Sequence, residues 1–304
     1  MTGYRLQPLW NQGWLLLTLA SLFWAGNSIV GRAVNETVPP VGLAFWRWVA
    51  ASLIVLPFAW PHVRRDWPKL RKAWLLIAAL AVLGLAGFNV VFYTALHHTT
   101  AINSVLLQSA TPPLILLLTF LLFRERPLWT QILGLVVSIA GVLVILAEGA
   151  PDRLLALRLN VGDALVMACV VGYALYSALL KKAPPLHPLS FLAGTFVASV
   201  VVLIPLYVVE HLSGDVMPTD GASLAALAYV ALFPSIAAYL FFNRGVEIMG
   251  ANRAGQYMHL MPAFGALLAV AFLDERFRLF HALGMALIAA GIVLSSRGAK
   301  ETLP

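Results

Sequence analysis

The sequence predicts an all-α, polytopic membrane protein, with ten transmembrane helices arranged as two inverted five-helix repeats. Three observations predict it. The chain has 304 residues, 61% of them hydrophobic and only 11% charged, with a mean hydropathy of +0.87. That composition excludes an ordinary soluble domain and disorder alike. Its apolar residues fall into ten runs, each close to the roughly 20 residues that cross a hydrocarbon core about 30 Å thick. Finally, residues 112–141 align without a gap over residues 262–291, at a spacing of 150. Pro112 falls over Pro262, Glu125 over Glu275, Arg126 over Arg276, Gly134 over Gly284 and Gly141 over Gly291. Leu and Ala matches are cheap in so apolar a chain. Proline, a Glu-Arg dipeptide and two glycines in register are not, and they mark a tandem duplication.

In chain order the spans are 12–32, 41–60, 73–95, 101–122, 128–147, 161–180, 189–209, 224–246, 251–273 and 279–297. Residues 61–72, 148–160 and 210–223 are read as polar loops, and nothing is left for a soluble domain. Residues 1–150 then form the first repeat and 151–304 the second, within one integrated transmembrane domain. The first run has Arg5 ahead of it and small residues inside it, as a secretory signal does, but more spans follow and it is read as an uncleaved helix. Because five helices per copy is an odd number, the second copy enters the bilayer from the opposite side. Inverted repeats of this kind put their working site near mid-bilayer, where the halves meet.

With the N-terminus inside, fourteen Lys and Arg residues fall on the cytoplasmic side and five (Arg32, Arg153, Arg158, Arg276 and Arg278) on the other. The positive-inside rule therefore makes both termini cytoplasmic, and the composition suits a bacterial inner membrane. The net charge of +7 does not indicate nucleic acid, because the basic residues lie at helix ends and no basic run is interleaved with aromatics. Cys169 is the single cysteine, so there is no intrachain disulfide and no cysteine-based metal site. Neither a metal nor a cofactor is expected.

A polar side chain inside hydrocarbon is costly, so those that occur face the bundle interior or a water-filled cavity. This filter selects Asn27, Ser28, Arg47, Asn89, Tyr93, Asn103, Gln108, Tyr173, Tyr176, Ser177, Tyr239, Asn243, Gln256, Tyr257 and His259. With Trp24, Trp46 and Phe88, the tyrosines supply rings for a planar ligand, although most such rings merely pack. Arg47 is the only cation well inside a span, roughly 10 Å from its outer end. It either attracts a substrate carboxylate or snorkels to the headgroups between Trp46 and Trp48. His259 either carries protons or packs.

All thirteen acidic residues lie in loops or near helix ends, so the buried carboxylate required for proton-coupled export of cations is missing. Neutral or zwitterionic solutes are the expected cargo. A proton-coupled multidrug or cation exporter and a channel-like facilitator are the alternatives, and no spacing suggests an enzyme. Pro112 and Pro262 each remove a backbone hydrogen bond and act as hinges or as static kinks. Gly134 and Gly141, like Gly284 and Gly291, lie seven apart on one helical stripe, so the fifth and tenth spans are expected to pair, within a molecule or between two. Glu125 and Glu275 are expected to cap the helices that follow them.

The two copies of five, Trp24-Ala25-Gly26-Asn27, Phe45-Trp46-Arg47 and the Pro, Glu-Arg, Gly, Gly pattern closing each half resemble the EamA-type members of the drug/metabolite transporter superfamily. The resemblance covers nearly the whole chain. It implies a transporter of small organic solutes, with amino acid export common, and more narrowly it is similar to the YddG-like exporters of aromatic amino acids. The expected partners are a small-molecule substrate and the lipid bilayer, with the chain acting as monomer or homodimer.

Overall fold

The computed structural model describes residues 9–98, 107–108, 110–124, 127–146, 152, 161–272 and 278–297. Within them every regular element is helical, and the helices make ten passages through the bundle. The first five are α1 (Gly13–Val34), α2 (Pro40–Lys72), α3 (Trp74–Ala81) running through a π-helical segment into α4 (Gly87–His98), α5 (Thr111–Phe123) and α6 (Trp129–Leu146). The second five are α7 (Val161–Leu179), α8 (Pro188–Leu212), α9 (Gly221–Val230) running through another π-helical segment into α10 (Ala238–Met249), α11 (Ala251–Gln256) joined by a 3-10 turn to α12 (Leu260–Phe272), and α13 (Leu279–Arg297). Among the described residues, six passages are long and apolar enough to cross a membrane.

The halves are inverted copies. The most extensive helix contacts join counterparts, α2 against α8 and α6 against α13. The others repeat with roles exchanged, since α1 packs on α10 and α12 while its counterpart α7 packs on α4 and α5. A two-fold relation between the halves produces that exchange. Matching π-helical segments, Val82–Ala86 and Ala231–Ala237, interrupt the third passage of each half. Such a bulge carries an extra residue in its turn and is common at functional sites. In the second, Pro234 supplies no N–H. In the first, Gly84 has no side chain where the Tyr176 ring lies.

Residues 61–72 are not a loop. α2 is a single helix of 33 residues that continues through Pro57, Pro61 and Pro68 to Lys72. Contacts distant in sequence hold this extension, because Asp66 and Leu70 are buried against α8 and the Asp66 carboxylate accepts a hydrogen bond from the His187 backbone N–H at 2.9 Å. At the opposite end Glu210 of α8 accepts from the N–H groups of Val41 at 3.0 Å and Gly42 at 2.5 Å. Each helix therefore presents a carboxylate to the unpaired N–H groups that start the other, where negative charge is favoured. Glu210→Ala is expected to lower stability by about 0.5 to 2 kcal/mol, the usual loss for a missing N-cap. Thermal unfolding in detergent measures it, with Glu210→Gln retaining part of the effect.

The glycine stripes join α6 to α13 within one chain. A Cβ on Gly134 would run into the Gly291 carbonyl, and one on Gly141 would lie 2.8 Å from the Leu287 Cβ. Glu125 and Glu275 lie outside the described residues. Pro112 is the second residue of α5 and Pro262 the third of α12, positions where proline costs little in helix bonding. The break in the ninth passage falls just ahead of Pro262, at Tyr257–His259.

Candidate functional site

Arg47 lies 1% exposed at the centre of a polar knot. Its Nε donates to Ser235 Oγ at 2.5 Å, and Nη1 donates to Asn27 Oδ1 at 3.1 Å, Asn89 Oδ1 at 2.8 Å and Tyr93 Oη at 2.9 Å. Tyr93 in turn donates to Asn27 Oδ1 at 3.1 Å. The guanidinium also stands 4.9 Å from the Trp48 ring centroid. Every one of these partners is neutral. The local folding explains the acceptors: Asn89 fixes its amide by donating to Leu85 O at 2.7 Å, and Ser235, inside the second π-helical segment, donates to Val230 O at 2.6 Å.

Next to the knot, between the halves, is a cavity of about 30 Å³ lined by Trp24, Asn27, Ser28, Arg47, Phe88, Asn89, Phe92, Gln108, Tyr173, Tyr239, Met258 and Met261. It is large enough for about one water. Trp24 is its central ring. Its edge-on neighbours Tyr173 and Tyr239 lie 5.6 and 5.7 Å away, and its Nε1 donates to Pro234 O at 3.1 Å. Tyr239 donates to the carbonyl of Gly84, so the π-helical segment of each half receives a hydrogen bond from a ring of the other. The buried Tyr173 hydroxyl has no partner among the described residues.

Below this layer, Tyr176 donates to Asn243 Oδ1 at 2.9 Å. The pair repeats the Tyr93–Asn27 bond with the residues exchanged: Asn243 follows Tyr93 by 150 positions and Tyr176 follows Asn27 by 149. Two matched tyrosine–asparagine latches thus flank the cavity. Asn243 also opens onto a vestibule of about 690 Å³, walled by Lys181, Pro184, Pro185, Phe191, Arg244 and Glu247 among others. This vestibule lies at the face where α1 begins, because Arg244 donates to Asn11 at 3.1 Å and pairs with Glu247 at 2.9 Å. Lys69 ties its Pro185 wall to α2 at 2.8 Å.

Of the residues selected from sequence, Trp24, Asn27, Ser28, Arg47, Phe88, Asn89, Gln108, Tyr173 and Tyr239 line the cavity, Tyr93, Tyr176 and Asn243 form the latches with Asn27, and Asn103 lies outside the described residues. Tyr257 and His259 are buried but line neither space, and both His259 nitrogens lack partners among the described residues. The turn that carries them directs Met258 into the cavity instead. Arg47 is not snorkelling. Sequence reasoning missed Ser235, Phe92, Met258 and Met261. The signal for Ser235 was Pro234 within an apolar run, where a broken helix brings a hydroxyl inward.

Among proteins with related sequences, the uncharacterized transporter YyaM of Bacillus subtilis (strain 168) is 25% identical over 290 residues, covering 93% of each chain. An uncharacterized transporter of Archaeoglobus fulgidus is 27% identical over 284 residues, 93% of this chain and 96% of its own. A solved structure superimposes with a TM-score of 0.76 at 18% identity, covering 96% of this chain and 99% of the other, which establishes the likeness of fold. The EamA-like transporter family matches twice, over residues 11–147 and again over 160–297. With nearly its whole length accounted for by two copies of that unit, the chain belongs to the EamA-like transporter family.

Proposed function

We propose that the protein exports small neutral or zwitterionic metabolites, amino acids and aromatic ones among them, by alternating access of its two inverted halves. The observation that carries this reading is the small central cavity flanked by two matched latches, with a vestibule beyond the Tyr176–Asn243 one. The vestibule face carries Lys181, Lys182, Arg244, Arg64, Arg65 and Lys69, so the positive-inside rule makes it and both termini cytoplasmic. A solute taken up there enters after the Tyr176–Asn243 latch parts, and leaves when the Tyr93–Asn27 latch does. Residues 1–150 and 151–304 are the units that rock. Rings around Trp24 favour planar side chains. Neutral amides and hydroxyls in place of a carboxylate favour zwitterions over cations, in a bacterial inner membrane. The α6–α13 seam is filled within one chain, which supports a monomer as the working unit.

Radiolabelled flux from proteoliposomes tests it, with Phe, Tyr, Trp, Met, Thr and a cationic dye, with and without a pH gradient. Saturable movement of aromatic amino acids, indifferent to the gradient, is the expected result. Non-saturating flux would mean a channel, and dye movement driven by the gradient would mean a proton-coupled cation exporter.

A further inference from the structure

We propose that Arg47 is the seat of the substrate's carboxylate, and that a carboxylate bound there releases the Tyr93–Asn27 latch. The inference rests on the transporter reading above and assigns the ligand chemistry of that cavity.

The first ground is charge. A guanidinium 1% exposed, whose described partners are all neutral oxygens, leaves an uncompensated positive charge on the wall of the cavity. Burying a charge is expensive unless it is paired, and neutral dipoles offset only part of the cost. Geometry is the second. Nη1 has two hydrogens but serves three oxygens, those of Asn27, Asn89 and Tyr93, whereas Nη2 takes part in none of these bonds. A carboxylate matches the two terminal nitrogens of the fork together, with two charge-assisted bonds.

The third ground is the difference between the halves. With Pro40 set over Pro188, Arg47 falls over Thr195, whose hydroxyl donates only to Phe191 O at 3.0 Å and Leu192 O at 3.1 Å in its own helix. The Tyr176–Asn243 latch is therefore neutral, and only the Tyr93–Asn27 latch is wired to a cation. Asn27 Oδ1 and the Tyr93 hydroxyl both accept from Nη1, so a carboxylate that takes Nη1 withdraws one bond from each member of the latch. The ligand then interacts differently with the closed and open arrangements, and only such a difference shifts a conformational equilibrium. The Tyr173 hydroxyl, without a partner among the described residues, and the Trp24 ring remain for the rest of the molecule once the cavity, now large enough for about one water, widens. The cargo class that follows is a monocarboxylate with an apolar or aromatic body, with or without an amino group.

The test uses the full chain and four ligands that differ at one group: phenylalanine, phenylacetate, phenylalaninamide and phenethylamine. Thermal shift in detergent reads binding and proteoliposome flux reads transport. The two carboxylates are expected to bind at least about tenfold more tightly than the amide and the amine, as loss of a two-bond charged contact implies. Arg47→Lys keeps the charge, removes the fork and is expected to erase most of that preference. Asn89→Asp places a carboxylate on Nη1 from within, at the expense of the Nδ2–H bond to Leu85 O, and the folded protein is expected to lose carboxylate binding. Amide and amine binding within twofold of phenylalanine would overturn the seat while leaving the exporter reading intact. A folded Asn89→Asp protein that binds phenylalanine unchanged would overturn it too. Carboxylates that bind without being moved would refute the exporter reading and leave the seat standing.

Discussion

Gly291→Val is expected to prevent assembly of the bundle. A side chain there would meet Ser138 Oγ and the Gly134 carbonyl, with the Ser138 backbone nitrogen 2.8 Å away. A flexible side chain could turn aside, but backbone cannot, so α6 and α13 would have to separate along their shared length. Overpacking a well-ordered core costs about 1 to 3 kcal/mol where side chains give way. Here the contact is backbone against backbone, in a membrane, where close approach of small residues is a main source of helix association. The expected result is little monodisperse protein on size exclusion. Ala290→Val, one position away and exposed, is expected to leave the elution profile and melting temperature unchanged.

Asn89→Leu is expected to cost about 1.5 to 3 kcal/mol, the range for a hydrogen bond to a charged group. It removes the shortest of the three Nη1 bonds, at 2.8 Å, and substitutes a side chain that gives the cation nothing. Tyr93→Phe removes a hydroxyl that accepts from Arg47 and donates to Asn27, both of which keep other partners, so its penalty is expected to be smaller. Thermal unfolding of both proteins in detergent decides the order. A smaller loss for Asn89→Leu than for Tyr93→Phe would mean that Arg47 depends on the latch more than on the amide.

Much of the architecture was legible because the two copies of the closing hairpin keep proline and glycine in register, and because helical passages of membrane length leave only short connections. The extension of α2 was not. Two prolines and a cluster of charges resemble a loop, and what keeps them helical is Asp66 meeting a backbone N–H 121 positions away. The cost of burying polar groups singled out Arg47, Asn27, Asn89 and Tyr93. The same cost could not separate them from His259, since it says that a side chain avoids lipid and not which interior space it reaches. Ser235 passed unnoticed because a serine satisfies itself on its own helix. The matched latches were hidden for another reason. Tyr93 and Asn243 differ, as do Asn27 and Tyr176, so each aligned position looks unrelated and only the bonded pair is preserved.

The carboxylates exchanged between α2 and α8 make each half depend on the other. Glu210 serves the first half at one face and Asp66 serves the second at the other. A five-helix half on its own would leave the opening turn of its second helix unserved. The same exchange ties the α2–α8 pair together at both of its ends.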